Sequence, residues 1–585
     1  MKAWTCPGLL VIPLIMALAM IVRVMGNLDA GFDMSDEGYY ILSIADYDRY
    51  PATTSQFGLV YHPLYLLSGG NIPAMRVANI ALTVLLGVVA CWSVWPSDDE
   101  LYGTPVRVLT CGALSVFSLM VLNGWTPTPS YNSLMVQALM LAAAGFALSM
   151  QVQPSTVLSG LLLGLGGGLI FLAKPPAAVF FAVLVLAGLL LAKRFSTRLA
   201  FVGTLTSVAV VASAILVLDG SVSIFSQRLL AGVADAERLE ARYGLTDIAR
   251  SFHAWPLAAR ETLLLAGLAA FIMVASWFAQ MSSPWRRAIH VGVLISGVVS
   301  LALVVEWVWI LVALEPLLRL APLAIGLGMI GGAALLIGSG LLSHERRVDI
   351  VLGAVLLALP LAGAFGTNNN AWQVASLAGL LWMLAGVRVL AGAAGGASGG
   401  ALYPGVAFGV IAVIALVMTW MERPYRQTEP IATQASVIDL GDGGRLRASR
   451  PIAEYTWGLQ ANARALGLAP GQDILDLTGR SPGAIVVLSG HAVAEPWLLG
   501  GYPGSLNFVR SALERTPCRD IARAWVIAEP GGPRSLPLAL AVGHPVDPMP
   551  RRVWAPYDGG KRYAQIILPP TNAASVCSTL SGGTP

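Results

Sequence analysis

Charge is what this chain has least of. Only 12% of its 585 residues are Asp, Glu, Lys or Arg, about half the share of a soluble domain, and 56% are hydrophobic. That balance excludes an ordinary soluble protein and makes the chain an integral membrane protein. Cysteine is also sparse: five are scattered, with no C-x-x-C and no zinc spacing. Cys6, Cys91 and Cys111 lie in or beside apolar runs and read as small hydrophobes. Cys518 and Cys577 lie in the polar C-terminal part and suit a disulfide in an oxidising compartment. A net charge of +4, without a basic arm, argues against nucleic acid as a partner. Internal repeats are missing, and the one low-complexity stretch is Gly392–Gly400. The first apolar run lacks a small-residue cleavage site and is expected to be a retained helix.

What is present is a series of long apolar windows. Windows of about 18–20 residues, long enough to cross a bilayer, fall near 8–25, 75–95, 106–122, 131–150, 156–173, 176–192, 200–218, 259–279, 288–310, 320–342, 348–365, 371–391 and 403–421. The expectation is about thirteen transmembrane helices. With the N-terminus inside, Lys193-Arg194 with Arg198, Arg286-Arg287 and Arg346-Arg347 fall in short inner turns, as the positive-inside rule requires. The longer outer loop 219–258 runs against the rule, with Arg228, Arg238, Arg242 and Arg250. An odd helix count then puts the tail outside the cytoplasm. That gives a membrane domain over 1–425 and an extracytoplasmic α/β domain over 426–585. In the tail, 473–477, 484–488, 524–527 and 563–568 read as strands, and 505–515 as a helix with Ser505 as N-cap.

The unusual polar residues collect on the outer side. Foremost is Asp33-Met34-Ser35-Asp36-Glu37-Gly38-Tyr39-Tyr40, directly after the first apolar run. Three carboxylates at a membrane boundary need a partner, a cation or a chemical task. In a helix, Asp33, Asp36 and Glu37 would share one face at i, i+3 and i+4. On the same side come Tyr61-His62-Pro63, Trp125–Asn132, Lys174-Pro175-Pro176, Glu306, Glu315 and Gly366-Thr367-Asn368-Asn369-Asn370. A transporter places its polar residues at mid-bilayer on interrupted helices. Here they sit at helix ends on one side, which favours an enzyme.

Those parts suffice for one chemistry. A carboxylate can take the proton of an attacking hydroxyl, while Lys174 and the loop arginines hold a phosphate as point charge and fork. A lipid-linked sugar phosphate presents its phosphate at that depth. Each residue has a blander reading. Lys174 also reads as a snorkelling side chain, the arginines as headgroup binders, His62 as an ordinary loop residue and the Asn run as a helix cap. Trp307, Trp309 and Trp372 read as interface anchors.

The pattern resembles a known family. Asp36-Glu37-Gly38-Tyr39-Tyr40 resembles the Asp-Glu-Gly-Arg-Tyr-type motif in the first outer loop of C-type (GT-C) membrane glycosyltransferases. The closest likeness is to lipid A aminoarabinose transferases, with protein O-mannosyltransferases more distant. His62-Pro63-Leu64-Tyr65, Arg76-Val77-Ala78-Asn79 and Phe171-Leu172-Ala173-Lys174-Pro175-Pro176 resemble further elements, in the same order, over roughly the first 200 residues. The resemblance implies a polyprenyl-phosphate-linked sugar as donor, an acidic base matched by Asp36, transfer outside the cytoplasm, normally with inversion, and no nucleotide sugar.

Two positions depart from the family. His62 stands where a Lys usually precedes Pro, and Ser130-Tyr131-Asn132 replaces a second acidic residue, so no metal or other cofactor is assigned. The expected catalytic residues are Asp36, then Glu37 and Asp33. Lys174, Arg228 and Arg238 are expected at the donor phosphate, with His62, Tyr39, Tyr40 and Asn132 lining the pocket. Expected partners are the donor lipid, a glycan, lipid or protein acceptor, and membrane lipids. The Gly-rich turns Asp476–Gly483 and Gly500–Ser505 match no phosphate-loop spacing and read as tight turns. Two alternatives stay open: a carrier or flippase that breaks no bond, and a non-catalytic assembly protein working through its tail.

Overall fold

A computed structural model describes residues 7–95, 104–123, 126–240, 245–279, 292, 312–337, 344–394, 398–541, 543–545, 550–556, 562–572 and 576. Among the described residues, ten helices are long and apolar enough to cross a membrane. They are Gly8–Met25, Ile72–Val94, Thr104–Leu122, Tyr131–Ser149, Thr156–Ala173, Thr197–Leu218, Ala259–Phe278, Glu315–Ile337, Arg347–Ala364 and Gly400–Glu422. Three shorter apolar helices, Phe57–Leu67, Pro175–Leu191 and Gly379–Ala394, accompany them. Of the thirteen expected windows ten coincide with these long helices, 176–192 and 371–391 fall on shorter ones, and 288–310, with Glu306, lies outside the described residues except for residue 292. The window 371–391 is not one helix. Asn370 caps a short Ala371–Ala375 helix, and a 3-10 turn at Ser376–Ala378 separates it from Gly379–Ala394.

The interspersed polar segments meet at one end of the bundle. Thr128 donates to Glu37, Gln56 N–H to Leu172 O, Asn370 to Ala254 O and Tyr425 to Asp36, while Gly366 packs on Pro176. At the opposite end Arg347 reaches Leu191 O, and Arg388 reaches both Asp349 and Val94 O. Residues 219–258, expected as a loop, hold two helices, Val222–Arg238 and Leu245–His253. Composition misled because these helices are short and polar on one face, so no window flags them.

The C-terminal part carries a five-stranded mixed sheet in the order β4-β3-β5-β7-β6. Its strands are β3 (Asp473–Asp476), β4 (His491–Ala492), β5 (Trp525–Ala528), β6 (Val553–Pro556) and β7 (Arg562–Leu568). Strands β3, β4 and β5 run parallel, and β7 is antiparallel to both β5 and β6. A separate hairpin, β1 (Ser436–Asp439) with β2 (Arg445–Ala448), and the helix Arg450–Leu466 escaped the sequence reading. The run 484–488, expected as a strand, is part of a short helix, Gly483–Val487, buried at every residue. A β-branched run this short, dry on all sides, does not show its period. Ser505 opens its helix, while the N-cap is Gly504. Cys518 is disulfide-bonded; Cys577, its expected partner, lies outside the described residues.

The sheet unit and the first polar segment share one core. Phe32, Ile41, Leu42, Ile72 and Met75 pack in one cluster with Ile438, Leu459, Ile474 and Ile485. The backbones are also linked: Ala30 bridges Arg447, and Gly483 N–H donates to Met34 O at 2.8 Å. This explains Gly38 of the acidic segment. A Cβ there would lie 2.2 Å from Gly483 N and 2.5 Å from Gly483 Cα. The contact is backbone against backbone, so no side chain can yield. Gly38→Val is expected to cost at least about 1–3 kcal/mol by overpacking and to loosen the sheet unit. Faster proteolysis after residue 425 would report it, and an unchanged digestion pattern would refute the contact's importance.

Candidate active site

The three first-segment carboxylates diverge. Asp33 stays outside the Asp36–Ala45 helix and caps it: Glu37 N–H donates to Asp33 Oδ2 at 3.2 Å, and Asp33 N–H returns to Glu37 Oε2 at 3.0 Å. The expectation that all three share one helical face is corrected accordingly. The reciprocal bonds do the work of a capping box.

Glu37 is fully enclosed and paired with Arg76, itself 1% exposed, at 2.7 Å. Arg76 also donates to Thr128 and to the carbonyls of Leu28, Ala30 and Gly31. Thr128 donates to Glu37 as well. Glu37 is thus committed to holding the segment on the Ile72–Val94 helix.

Asp36 differs. Its Oδ2 accepts from Tyr425 OH at 2.8 Å and meets Arg426 Nη1 at 2.9 Å, whereas Oδ1 has no donor among the described residues. The side chain keeps 16% exposure. Arg426 adopts φ +53°, a left-handed conformation costly for a non-glycine residue. It also donates to Ser35 Oγ. A strained arginine therefore clamps the one first-segment carboxylate that has an oxygen accepting no hydrogen bond among the described residues.

Asp33 and Arg426 form part of the wall of a cavity of about 170 Å³ between the acidic segment and the sheet unit, with Arg480 and Arg534 on the sheet side. Arg480 and Ser481 follow β3, so the cavity opens beyond the carboxyl end of a parallel strand, where α/β sheets commonly bind ligands. Asp36 lies behind Arg426 and does not line it.

Burial, helped by the neighbouring Asp36 charge and opposed by Arg426, pushes Asp33 up from 3.8 to about 7. The sign follows. An acid with a raised folded-state pKa stabilises the fold fully below its unfolded value, and that stability is lost as pH rises through about 7. Tm of the wild type is expected to fall between pH 4 and pH 8 relative to Asp33→Asn. Parallel curves would contradict the assignment.

Lys174 ends the Thr156–Ala173 helix and opens Pro175–Leu191. Its Nζ lies 5.7 Å from the Tyr131 ring centroid, and it shares a small cavity with Asn132. Lys174 has no anionic partner among the described residues, and Asn132 Nδ2 is buried without an acceptor. Both residues therefore line the same cavity, whose volume is about 10 Å³. Tyr131 meets Tyr40 edge-on at 5.9 Å, and Tyr40 OH is also buried without a partner. Tyr39 packs tilted against Tyr40, with ring centroids 5.5 Å apart, and reaches Trp497 of the sheet unit at 6.3 Å. Tyr40, on the Asp36 helix, and Tyr131 thus link that helix to Lys174.

The other expected residues are engaged elsewhere. Arg228 spends its guanidinium on Asp219 and the Tyr50 carbonyl. Arg238 pairs with Asp235, which also binds Arg515 of the sheet unit. Neither lines the cavity near Asp33 nor the one at Lys174. They sit on the amphipathic Val222–Arg238 helix, each with a carboxylate partner of its own. His62 Nδ1 bonds Ile44 O at 2.8 Å, with its ring 4.5 Å from Tyr47, bracing two helices. Glu315 pairs with Arg319 one turn on. Tyr425, Arg426, Arg480 and Arg534 were not anticipated, and the only sequence signal for the first two is their place just after the last span. Among the described residues no three His, Cys, Asp or Glu side chains group as metal ligands.

No family model and no curated protein matches this chain. Solved structures similar to it include ArnT from Cupriavidus metallidurans in the apo state, at 14% identity over 96% of this chain and 97% of that one, TM-score 0.39. ArnT from the same organism bound to undecaprenyl phosphate matches at 13% identity over 96% and 98%, TM-score 0.40. The Archaeoglobus fulgidus oligosaccharyltransferase, tethered to an acceptor peptide, matches at 12% identity over 98% and 77%, TM-score 0.43.

Proposed function

We propose that this protein is a C-type membrane glycosyltransferase. It transfers a sugar from a polyprenyl-phosphate-linked donor to an acceptor hydroxyl at the outer face of the cytoplasmic membrane, where the sheet unit also lies. The supporting observation is the pairing of two features at one end of the bundle: Asp36, with an unengaged Oδ1, and the unpaired donors of Lys174 and Asn132.

In this reading Asp36 Oδ1 accepts the proton of the acceptor hydroxyl as its oxygen attacks the anomeric carbon. The bond from that carbon to the phosphate oxygen breaks, its electron pair leaves on the phosphate, and the configuration inverts. Lys174 and Asn132 stabilise the departing charge. Tyr40 and Tyr131, which lie between base and phosphate, line the place of the sugar. Glu37 and Asp33 shape the segment, and Arg426 positions Asp36. Arg228 and Arg238 have no part in donor binding here, and no step calls on a metal.

Lys174→Ala is the test of the donor half. It is expected to raise KM for the lipid-linked donor by about tenfold or more, the loss of a charged hydrogen bond, with acceptor KM little changed. An unaltered donor dependence would remove Lys174 from the site.

A further inference from the structure

Beyond the cavity at Asp33 lies a second one of about 390 Å³, between the Arg450–Leu466 helix and the edge strand β6. Pro451, Tyr455 and Pro556 wall both, so the two are adjacent and together make a run of surface recesses, called the groove below. Its charge is lopsided. Arg426, Arg480, Arg534, Arg551, Arg552 and Arg562 line it, against two carboxylates, Asp33 and Glu454, although Arg426 and Arg480 are paired with Asp36 and Glu529 outside the lining. The whole chain, by contrast, is nearly balanced at 36 basic to 32 acidic residues. Among the described residues Arg534, Arg551 and Arg552 have no carboxylate partner, and Arg562 has only Glu454, at 3.8 Å and shared with Arg450.

Two further features suit a particular ligand. Trp554, on the groove's outer part, is 54% exposed. Asn462 is 7% exposed, and its Oδ1 is buried without a hydrogen-bond donor. Unpaired guanidiniums take carboxylate or phosphate groups bidentately. An orphaned amide oxygen takes a hydroxyl, and an open indole face takes an apolar ring face. A ligand with acid groups, hydroxyls and flat ring faces is an acidic saccharide.

We infer that the groove binds an anionic saccharide chain, the acceptor or the growing end that carries it, and leads it from β6 to the acidic first segment. This rests on the glycosyltransferase reading for the chain's role, but its binding is measurable alone. The full chain in nanodiscs is titrated with a labelled galacturonate decamer, a neutral maltodextrin of equal length and a polyglutamate of equal charge.

The decamer is expected to bind, to weaken on the order of tenfold in Arg551→Ser/Arg552→Ser and in Trp554→Ala, and to weaken further at high salt. The double variant removes exposed side chains, and an unchanged Tm would show that it folds. Asp36→Asn should still bind the decamer, no more weakly than the wild type, since Asp36 does not line the groove and its loss only frees Arg426. Equal binding of maltodextrin or of polyglutamate would overturn the saccharide assignment, as would undiminished binding by the double variant. Transfer that survives Asp36→Asn would instead overturn the proposed function and leave the groove measurement standing.

Discussion

Asp36→Asn is expected to reduce sugar transfer by about 10²–10⁴-fold, the usual range for losing a positioned general base. The amide is nearly isosteric, and it still accepts from Tyr425 OH through one oxygen, so insertion and folding should hold. What it lacks is a lone pair basic enough to take the hydroxyl proton. Asp33→Asn makes the contrast. Asp33 Oδ atoms are taken up by Ser35 Oγ and Glu37 N–H, so its loss should act mainly on stability and its pH dependence. Parallel transfer assays on the two variants separate the roles. Equal losses in both would mean that the proton acceptor is not assigned by free valence at Asp36 Oδ1.

The second large effect belongs to Arg76. Removing one partner of a buried ion pair leaves the other charge dry and unpaired, at about 3–5 kcal/mol. Arg76→Met would strand Glu37, which is 0% exposed, and would also orphan the carbonyls of Leu28 and Gly31 that Arg76 serves at 2.8 Å. Arg76→Lys should rescue little, since three donors on one nitrogen cannot span that fork. Arg76→Met/Glu37→Met should be milder than Arg76→Met alone, because the stranded charge is gone. Thermal unfolding in detergent measures all three. A double variant no better than the single would show that the carbonyl contacts, not the pair, hold the segment.

Hydropathy made the bundle legible because spanning a bilayer demands length and apolarity, and ten of the expected windows coincide with long described helices. It failed where the demand is weaker. Residues 222–253 lie as short helices polar on one side, and 371–391 breaks at a Ser-bearing 3-10 turn.

The acidic segment stood out in the sequence, but the division of labour within it did not. Glu37 looks equivalent to Asp36 until Arg76, 39 residues on, is seen against it. Gly38 could be noticed as part of a motif, yet its reason, the backbone of Gly483, is 445 residues away in the chain (483 − 38). The groove arginines come from five separate stretches of the tail and its junction, so no spacing pattern announces them. Lys174 and Asn132 were named for their chemistry at helix ends, and their shared unpaired donors became visible only with the cavity between them.

The most direct measurement is lipid mass spectrometry on the purified chain given a polyprenyl-phosphate-linked sugar and an acceptor saccharide. Free polyprenyl phosphate should accumulate in step with glycosylated acceptor for the wild type, and neither should form with Asp36→Asn. Sugar that crosses the membrane still joined to its lipid, or equal release of free lipid phosphate by Asp36→Asn, would contradict the account.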